Sequence, residues 1–160
     1  MGGFAGTNIL ERLRRLFGGN PPRVQAAALP WRRKDGVIEV MLITSRDTGR
    51  WVLPKGWPEG RESLDQTASR EAREEAGVEG PMSGEIGRYI YGKAMPSGLR
   101  SRCEVAVFPL EVASEAKHWR EEKERTRRWF APEEAALLVA EPDLSRLLGA
   151  FKGNPREIPA

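Results

Sequence analysis

The chain has 160 residues, 39% apolar and 31% charged, which predicts one soluble domain around a single core. A net charge of +3, from 26 basic and 23 acidic residues, is too small to mark a nucleic-acid coat. No run of 18 apolar residues offers a membrane span, and the single cysteine, Cys103, excludes an internal disulfide.

In chain order, Ile9, Leu10, Leu13, Leu16 and Phe17 stand among arginines and predict a short amphipathic helix. With the linker over residues 18–22 it forms an N-terminal segment, 1–22, ahead of a domain spanning 23–152; residues 153–160 read as a flexible tail. Residues 24–31 and 37–44 are apolar runs of strand length. Asp35-Gly36 between them is a hairpin signal. A short strand is expected at 51–53, ended by Pro54, with further strands at 86–91, 103–110 and 129–130. Residues 92–102 read as a basic loop. Pro132 and Pro142 open two helices, 132–138 and 142–151. Strands interleaved with few helices predict an α+β fold with a mixed sheet covered on both faces. Cys103 begins an apolar run and reads as core, and the lone His118 as a surface residue. Nothing at the start resembles a signal peptide, so a reducing cytoplasmic location is expected.

Residues 56–78, GWPEGRESLDQTASREAREEAGV, carry the chemistry. Ser63 followed by Gln66 is a capping box, and Gly77 suits a left-handed residue past a helix end, so a helix is expected over 64–76. On that helix Leu64, Ala68, Ala72 and Ala76 form an apolar stripe. Glu71, Glu74 and Glu75 fall within about 100° of arc, with Glu75 inside the stripe. Like charges crowded toward a core raise one another's pKa and are tolerated where a cation offsets them. Hard divalent cations take such oxygen ligands while keeping positions for phosphate and water. The plainer alternative is a solvated face with pairs such as Arg70–Glu74; Gly56, Glu62 and Gly77 at their fixed spacings leave it little room.

Those residues fill every place of G-x5-E-x7-R-E-U-x-E-E-x-G-U, with Ala72 and Val78 at the two U places. The chain therefore resembles the Nudix hydrolases over roughly residues 24–151. The resemblance implies an α/β/α sandwich with a loop–helix–loop against the sheet. It implies hydrolysis of pyrophosphate links with Mg²⁺ or Mn²⁺. It also implies roles: Glu71 and Glu75 as main metal ligands, Glu74 as the base or a further ligand, and the Gly56 carbonyl at the metal. Glu62, Arg70 and Gly77 would brace the box. The flanking segments, 42–56 and 125–135, are most similar to diphosphoinositol polyphosphate and diadenosine polyphosphate phosphohydrolases. By that similarity Ser45, Arg46, Arg50, Lys55 and Arg125 are candidates for substrate contact, with Arg23 or Arg32 and Arg100 or Arg102. Trp57 departs from the glycine run of animal members.

A nucleoside triphosphate or RNA 5′-end pyrophosphohydrolase is the competing reading, kept open by Trp57, Tyr89 and Tyr91. An inactive binding module is disfavoured by the complete set of box glutamates. The expected partner is a small-molecule polyphosphate, with no stable nucleic acid and no membrane, and a homodimer is left open. The charged run 115–128 reads as a solvated segment, unless Glu121, Glu122 or Glu124 faces the substrate.

Overall fold

The computed structural model describes residues 23–94 and 100–153. The N-terminal helix, the centre of the basic loop and the tail beyond 153 lie outside the described residues, as do the side chains of Arg23 and Arg100.

Strand β1 (Arg23–Lys34) turns at Asp35-Gly36 into β2 (Val37–Thr44). Both turn residues have positive φ, 51° and 79°, which makes this a tight primed hairpin turn. Two short strands follow, β3 (Trp51–Val52) and β4 (Lys55–Gly56). Helix α1 (Leu64–Glu71) continues directly into a π-helical turn, Ala72–Ala76. β5 (Val78–Glu79), β6 (Gly87–Ala94), β7 (Arg100–Glu111), β8 (Ser114–Glu115) and β9 (Arg127–Phe130) complete the strands, and α2 (Pro132–Leu138) and α3 (Pro142–Gly149) close the fold.

The main sheet runs β3-β2-β1-β7-β6, with β9 added to β2 and β4 to β1. β1 and β7 are parallel from Arg23↔Cys103 to Trp31↔Glu111, and the other pairs are antiparallel, so the sheet is mixed as expected. Period-two alternation gives each strand two buried faces. One face, with Ala26, Ala28, Met41, Ile43, Ala106 and Phe108, receives Ala68, Ala72 and Ala76 of the α1 segment. The other, with Ala27, Leu29, Trp31, Val105 and Tyr89, receives Leu144 and Leu148 of α3 and Ala135 of α2. Alanines on both sides of the α1 contact let helix and sheet approach closely.

Several boundaries differ from expectation. β1 continues through Arg32–Lys34 because the tight hairpin keeps those residues paired with Val37–Glu39. Residues 92–94 and 100–102 of the expected loop are strand: β6 and β7 pair through Ala94↔Arg100, so backbone pairing overrides the polar composition there. The 64–76 helix changes from α to π geometry at Ala72, and α3 stops at Gly149 rather than at 151. β4, β5 and β8 are two-residue strands with no hydrophobic pattern to announce them.

Candidate active site

β3 and β4 wedge between the end of β2 and the start of β1, and a cleft of about 680 Å³ opens there. Its floor is the α1 segment. Ser63 caps the helix, its N–H donating to Gln66 Oε1 at 3.0 Å. At the far end Gly77 takes φ 67°, and a Cβ there would lie 2.8 Å from Trp119 and Arg127. Trp119 Nε1 donates to the Glu75 carbonyl at 3.0 Å, and Arg127 Nη1 to the Ala76 carbonyl at 2.9 Å. These side chains satisfy carbonyls that the helix end leaves open and so fix the π turn that carries Glu74 and Glu75.

Arg70 wires the box together. Its Nε and Nη2 donate to the two oxygens of Glu62 at 2.9 and 3.1 Å, and Nη2 also reaches the Trp57 carbonyl at 3.1 Å. Nη1 donates to Glu71 Oε1 at 2.8 Å and to Glu74 Oε2 at 3.4 Å. The forked bond pulls Glu62 down to about 2, helped by the Glu59 N–H. A side chain on Gly56 would collide with Glu71 Oε1, so only glycine lets that carboxylate lie against the β4 backbone. Glu62 and Arg70 thus bond to each other inside the box, and Gly56 and Gly77 leave the room that its neighbours occupy.

Glu71 and Glu75 are buried, and Glu74 is the most open of the three carboxylates. Glu75 accepts from the Lys55 N–H at 3.2 Å and from Arg125 Nη2 at 3.2 Å. Even so, burial pushes it up to about 8; Arg125 opposes this, and Glu71 adds to it. A buried carboxylate held that high is short of positive charge. The available donors, Glu71, Glu74, Glu75 and the Gly56 carbonyl, are all hard oxygens. The group therefore fits a hard divalent cation by both charge and donor chemistry. Among the described residues no three acidic, His or Cys side chains converge on one point; Arg70 pairs with Glu71 and Glu74, and Arg125 with Glu75.

The phosphate-contact candidates divide. Ser45, Arg46, Lys55 and Arg125 line the cleft. Ser45 hydrogen-bonds Thr48, and Arg46 pairs with Glu121 and Glu124 at 3.5 and 3.3 Å. Lys55 sits 4.4 Å from the Tyr91 ring centroid, and its burial lowers its pKa against the pull of Glu75. Arg125 is buried, bonding Glu75, Glu121 and the Thr44 carbonyl.

Arg32, Arg50 and Arg102 do not line the cleft. Arg32 lies seven residues along β1 from Gln25, roughly 23 Å at strand rise, and pairs with Glu39 beneath Trp129. Arg50 is committed to Glu141 at 2.9 Å. Arg102 faces solvent opposite Gly92, because alternation on β7 sends its neighbour Cys103 inward. Cys103 and Tyr89 are core residues. His118 is exposed, against Glu122.

Most of the run 115–128 is exposed as expected, but part of it faces the cleft. Arg120, Glu121, Glu124 and Arg125 line the cleft; of the three glutamates singled out, Glu122 alone does not, and it bonds His118 instead. Gln25 and Arg120 also line it, and sequence reasoning passed over both. A glutamine inside the apolar run VQAAALPW was the available signal for Gln25.

Helix-borne carboxylates suited to a hard cation, facing a cleft edged by arginine and lysine, define a site for a polyanion bound with a divalent metal. A model of the NUDIX domain matches residues 21–151. Nudix hydrolase 16, mitochondrial, of Arabidopsis thaliana is 36% identical over 136 residues, covering 75% of this chain and 74% of that one. Nudix hydrolase 21, chloroplastic, of the same plant is 33% identical over 133 residues, covering 81% and 66%. The chain spans between about half and three quarters of the length of such relatives. The crystal structure of a C. elegans Ap4A hydrolase superposes with a TM-score of 0.59 at 20% identity, covering 81% of this chain and 95% of that one. The NUDIX domain of Shewanella oneidensis NrtR, crystallised with ADP ribose, gives 0.61 at 15% identity, covering 87% and 94%. The chain belongs to the Nudix family: it is a Nudix hydrolase, of a family that acts on phosphoanhydride bonds and uses divalent cations. Among the described residues no helix is long and apolar enough to cross a membrane.

Proposed function

We propose that this enzyme hydrolyses phosphoanhydride bonds in long polyphosphate substrates, either diadenosine polyphosphates or diphosphoinositol polyphosphates, with Mg²⁺ or Mn²⁺. The observation that carries this is the set of cations, Arg46, Lys55, Arg120 and Arg125, lining the same cleft as the box carboxylates. A chain of phosphates needs several positive groups in series, and arginine's planar fork suits phosphate oxygens. Glu71, Glu74, Glu75 and the Gly56 carbonyl would hold the cation. When bound, the ion supplies charge neutralisation on the phosphoryl oxygens and acidifies a water. Glu74 is the proton acceptor: it is the most open of the three carboxylates and still belongs to the cluster. Arg70 orients Glu71 and Glu74, and Arg125 orients Glu75.

The second reading, a nucleoside triphosphate or RNA 5′-end pyrophosphohydrolase, is supported by Trp57 and Tyr91, which line the cleft and offer rings to a base. We place the enzyme in a reducing compartment, the cytoplasm, on the strength of its single cysteine; the plant relatives bear mitochondrial and chloroplastic names of their own. The test is turnover of a dinucleotide tetraphosphate, a diphosphoinositol polyphosphate and simple nucleoside triphosphates with Mg²⁺ or Mn²⁺. Release of phosphate or nucleotide from either long substrate is expected. Efficient cleavage of triphosphates alone would transfer the assignment to the second reading.

A further inference from the structure

The two flanks of the cleft differ in kind. On the β2 side stand Ser45, Arg46, Asp47, Arg120, Glu121 and Glu124. On the side built from β1, β4 and β6 stand Gln25, Trp57 and Tyr91, with a single cation, Lys55, 4.4 Å from the Tyr91 ring. Gln25 is the odd member. It lies on β1 opposite Val105 and shares its strand face with Ala27, Leu29 and Trp31, all core residues. It is 95% buried, at 5% exposure, and its Oε1 is buried without a hydrogen-bond partner. An apolar side chain of the same length would fill that place without stranding a carbonyl. The amide does nothing for the fold that the structure displays, yet it lines the cleft.

We infer that Gln25 is a specificity-determining residue that hydrogen-bonds a neutral nucleoside portion of the substrate, beside the polyphosphate. This rests on the cleft being the polyphosphate site, and it selects between the two substrate classes proposed for it. A carboxamide presents a donor and an acceptor side by side and carries no charge. That pair matches the edge of a purine base or a ribose hydroxyl, groups that both give and accept hydrogen bonds. Phosphate oxygens only accept, so they leave Oε1 unanswered, and an inositol ring phosphorylated at every carbon has no hydroxyl to offer. Tyr91 supplies an aromatic wall of the kind a nucleoside needs, while phosphates find charge partners in Lys55 beside it and in Arg46 and Arg120 across the cleft. A site built to hydrogen-bond one group discriminates strongly against ligands that lack it.

The experiment compares ATP with inorganic tripolyphosphate, two chains of three phosphates that differ by the nucleoside, in calorimetric titrations without added metal so that no turnover intervenes. Wild-type protein should bind ATP more tightly. Gln25→Leu should weaken ATP about tenfold, leave tripolyphosphate within about twofold, and melt no lower than wild type, since a stranded polar atom has been removed. Gln25→Met repeats the test with an unbranched chain should the leucine variant not fold. Equal losses for both ligands, no loss for ATP, or a lowered melting temperature with unchanged selectivity would each overturn the assignment. A wild type that binds both ligands yet cleaves neither long substrate retires the proposed reaction and leaves this test standing. A wild type that binds ATP no tighter than tripolyphosphate overturns the role of Gln25 alone.

Discussion

The carboxylates of the cleft are held by two arginines in opposite ways. Arg70 lies within the box and ties Glu62, Glu71, Glu74 and the Trp57 carbonyl into one short-range unit. Arg125 arrives from 50 residues away and joins Glu75 to Glu121 and the Thr44 carbonyl. Both guanidinium side chains are about nine-tenths buried, so neither is a surface ion pair of small worth. The lesson is a division of labour. Arg70 builds a scaffold that includes the bonds to Glu62 and the Trp57 carbonyl, groups outside the cation cluster, whereas Arg125 neutralises a carboxylate that a cation also suits.

The largest effects should come from the carboxylates themselves. Glu71→Gln and Glu75→Gln should each lower kcat by on the order of a thousandfold, the scale of losing a catalytic acid–base or metal-holding group. Millimolar Mg²⁺ or Mn²⁺ should raise the melting temperature of wild type, because it binds the folded state alone, and should raise it less in these variants. Equal metal-induced shifts in wild type and both variants would break the assignment of these side chains as ligands.

Next come the two arginines. Arg70→Ala should cost about 3 kcal/mol, the scale for stranding partners of a buried pair. Arg125→Ala should cost a similar amount without metal. The distinction lies in rescue. A divalent cation can replace the positive charge beside Glu75, but it cannot supply the bonds to Glu62 and the Trp57 carbonyl. Melting curves with and without Mg²⁺ should therefore show greater recovery for Arg125→Ala than for Arg70→Ala, and equal recovery would erase the contrast between the two holders.

The same division explains what was legible in the sequence. Capping by Ser63, the left-handed Gly77 and the alanine stripe follow from short spacings, where helix geometry fixes who meets whom, and the bracing by Glu62 and Arg70 followed from the family resemblance. Arg125, Arg50 and Arg32 depended on pairings across the chain. The residue type marked all three equally, yet β1 carried Arg32 to the far end of the sheet and Glu141 claimed Arg50. The π turn at Ala72 was hidden too, because Trp119 and Arg127 help hold it from another segment. The sheet order itself was not readable, since the β1–β7 pairing joins residues about 80 apart.

The Arg70 fork also predicts an acid limit. Glu62 falls to about 2 in the folded protein against an ordinary value of 4.5. A depressed folded pKa means stability fully present above the unfolded value and lost as pH falls from there through about 2. Glu62→Gln should flatten melting temperature against pH between about 5 and 2 relative to wild type. Arg125 pulls Glu75 down by less than burial raises it, so Arg125→Ala should keep the acid slope that Glu62 imparts.

The smallest effect on the fold is expected at Arg46, whose side chain is 58% exposed and pairs with Glu121 and Glu124. Arg46→Ala should change stability by less than about 1 kcal/mol, as exposed pairs do. Its partners lie on the loop that bears Arg125, so its cost should instead appear in substrate binding. KM for the long substrate should rise with added salt in wild type and depend less on salt in the variant, because one screened charge has been removed. Arg125, shielded from ions by burial, should show the weaker salt dependence of the two. Steady-state kinetics across an ionic-strength series would check this, and an Arg46→Ala enzyme with unchanged KM and unchanged salt slope would remove Arg46 from the phosphate path.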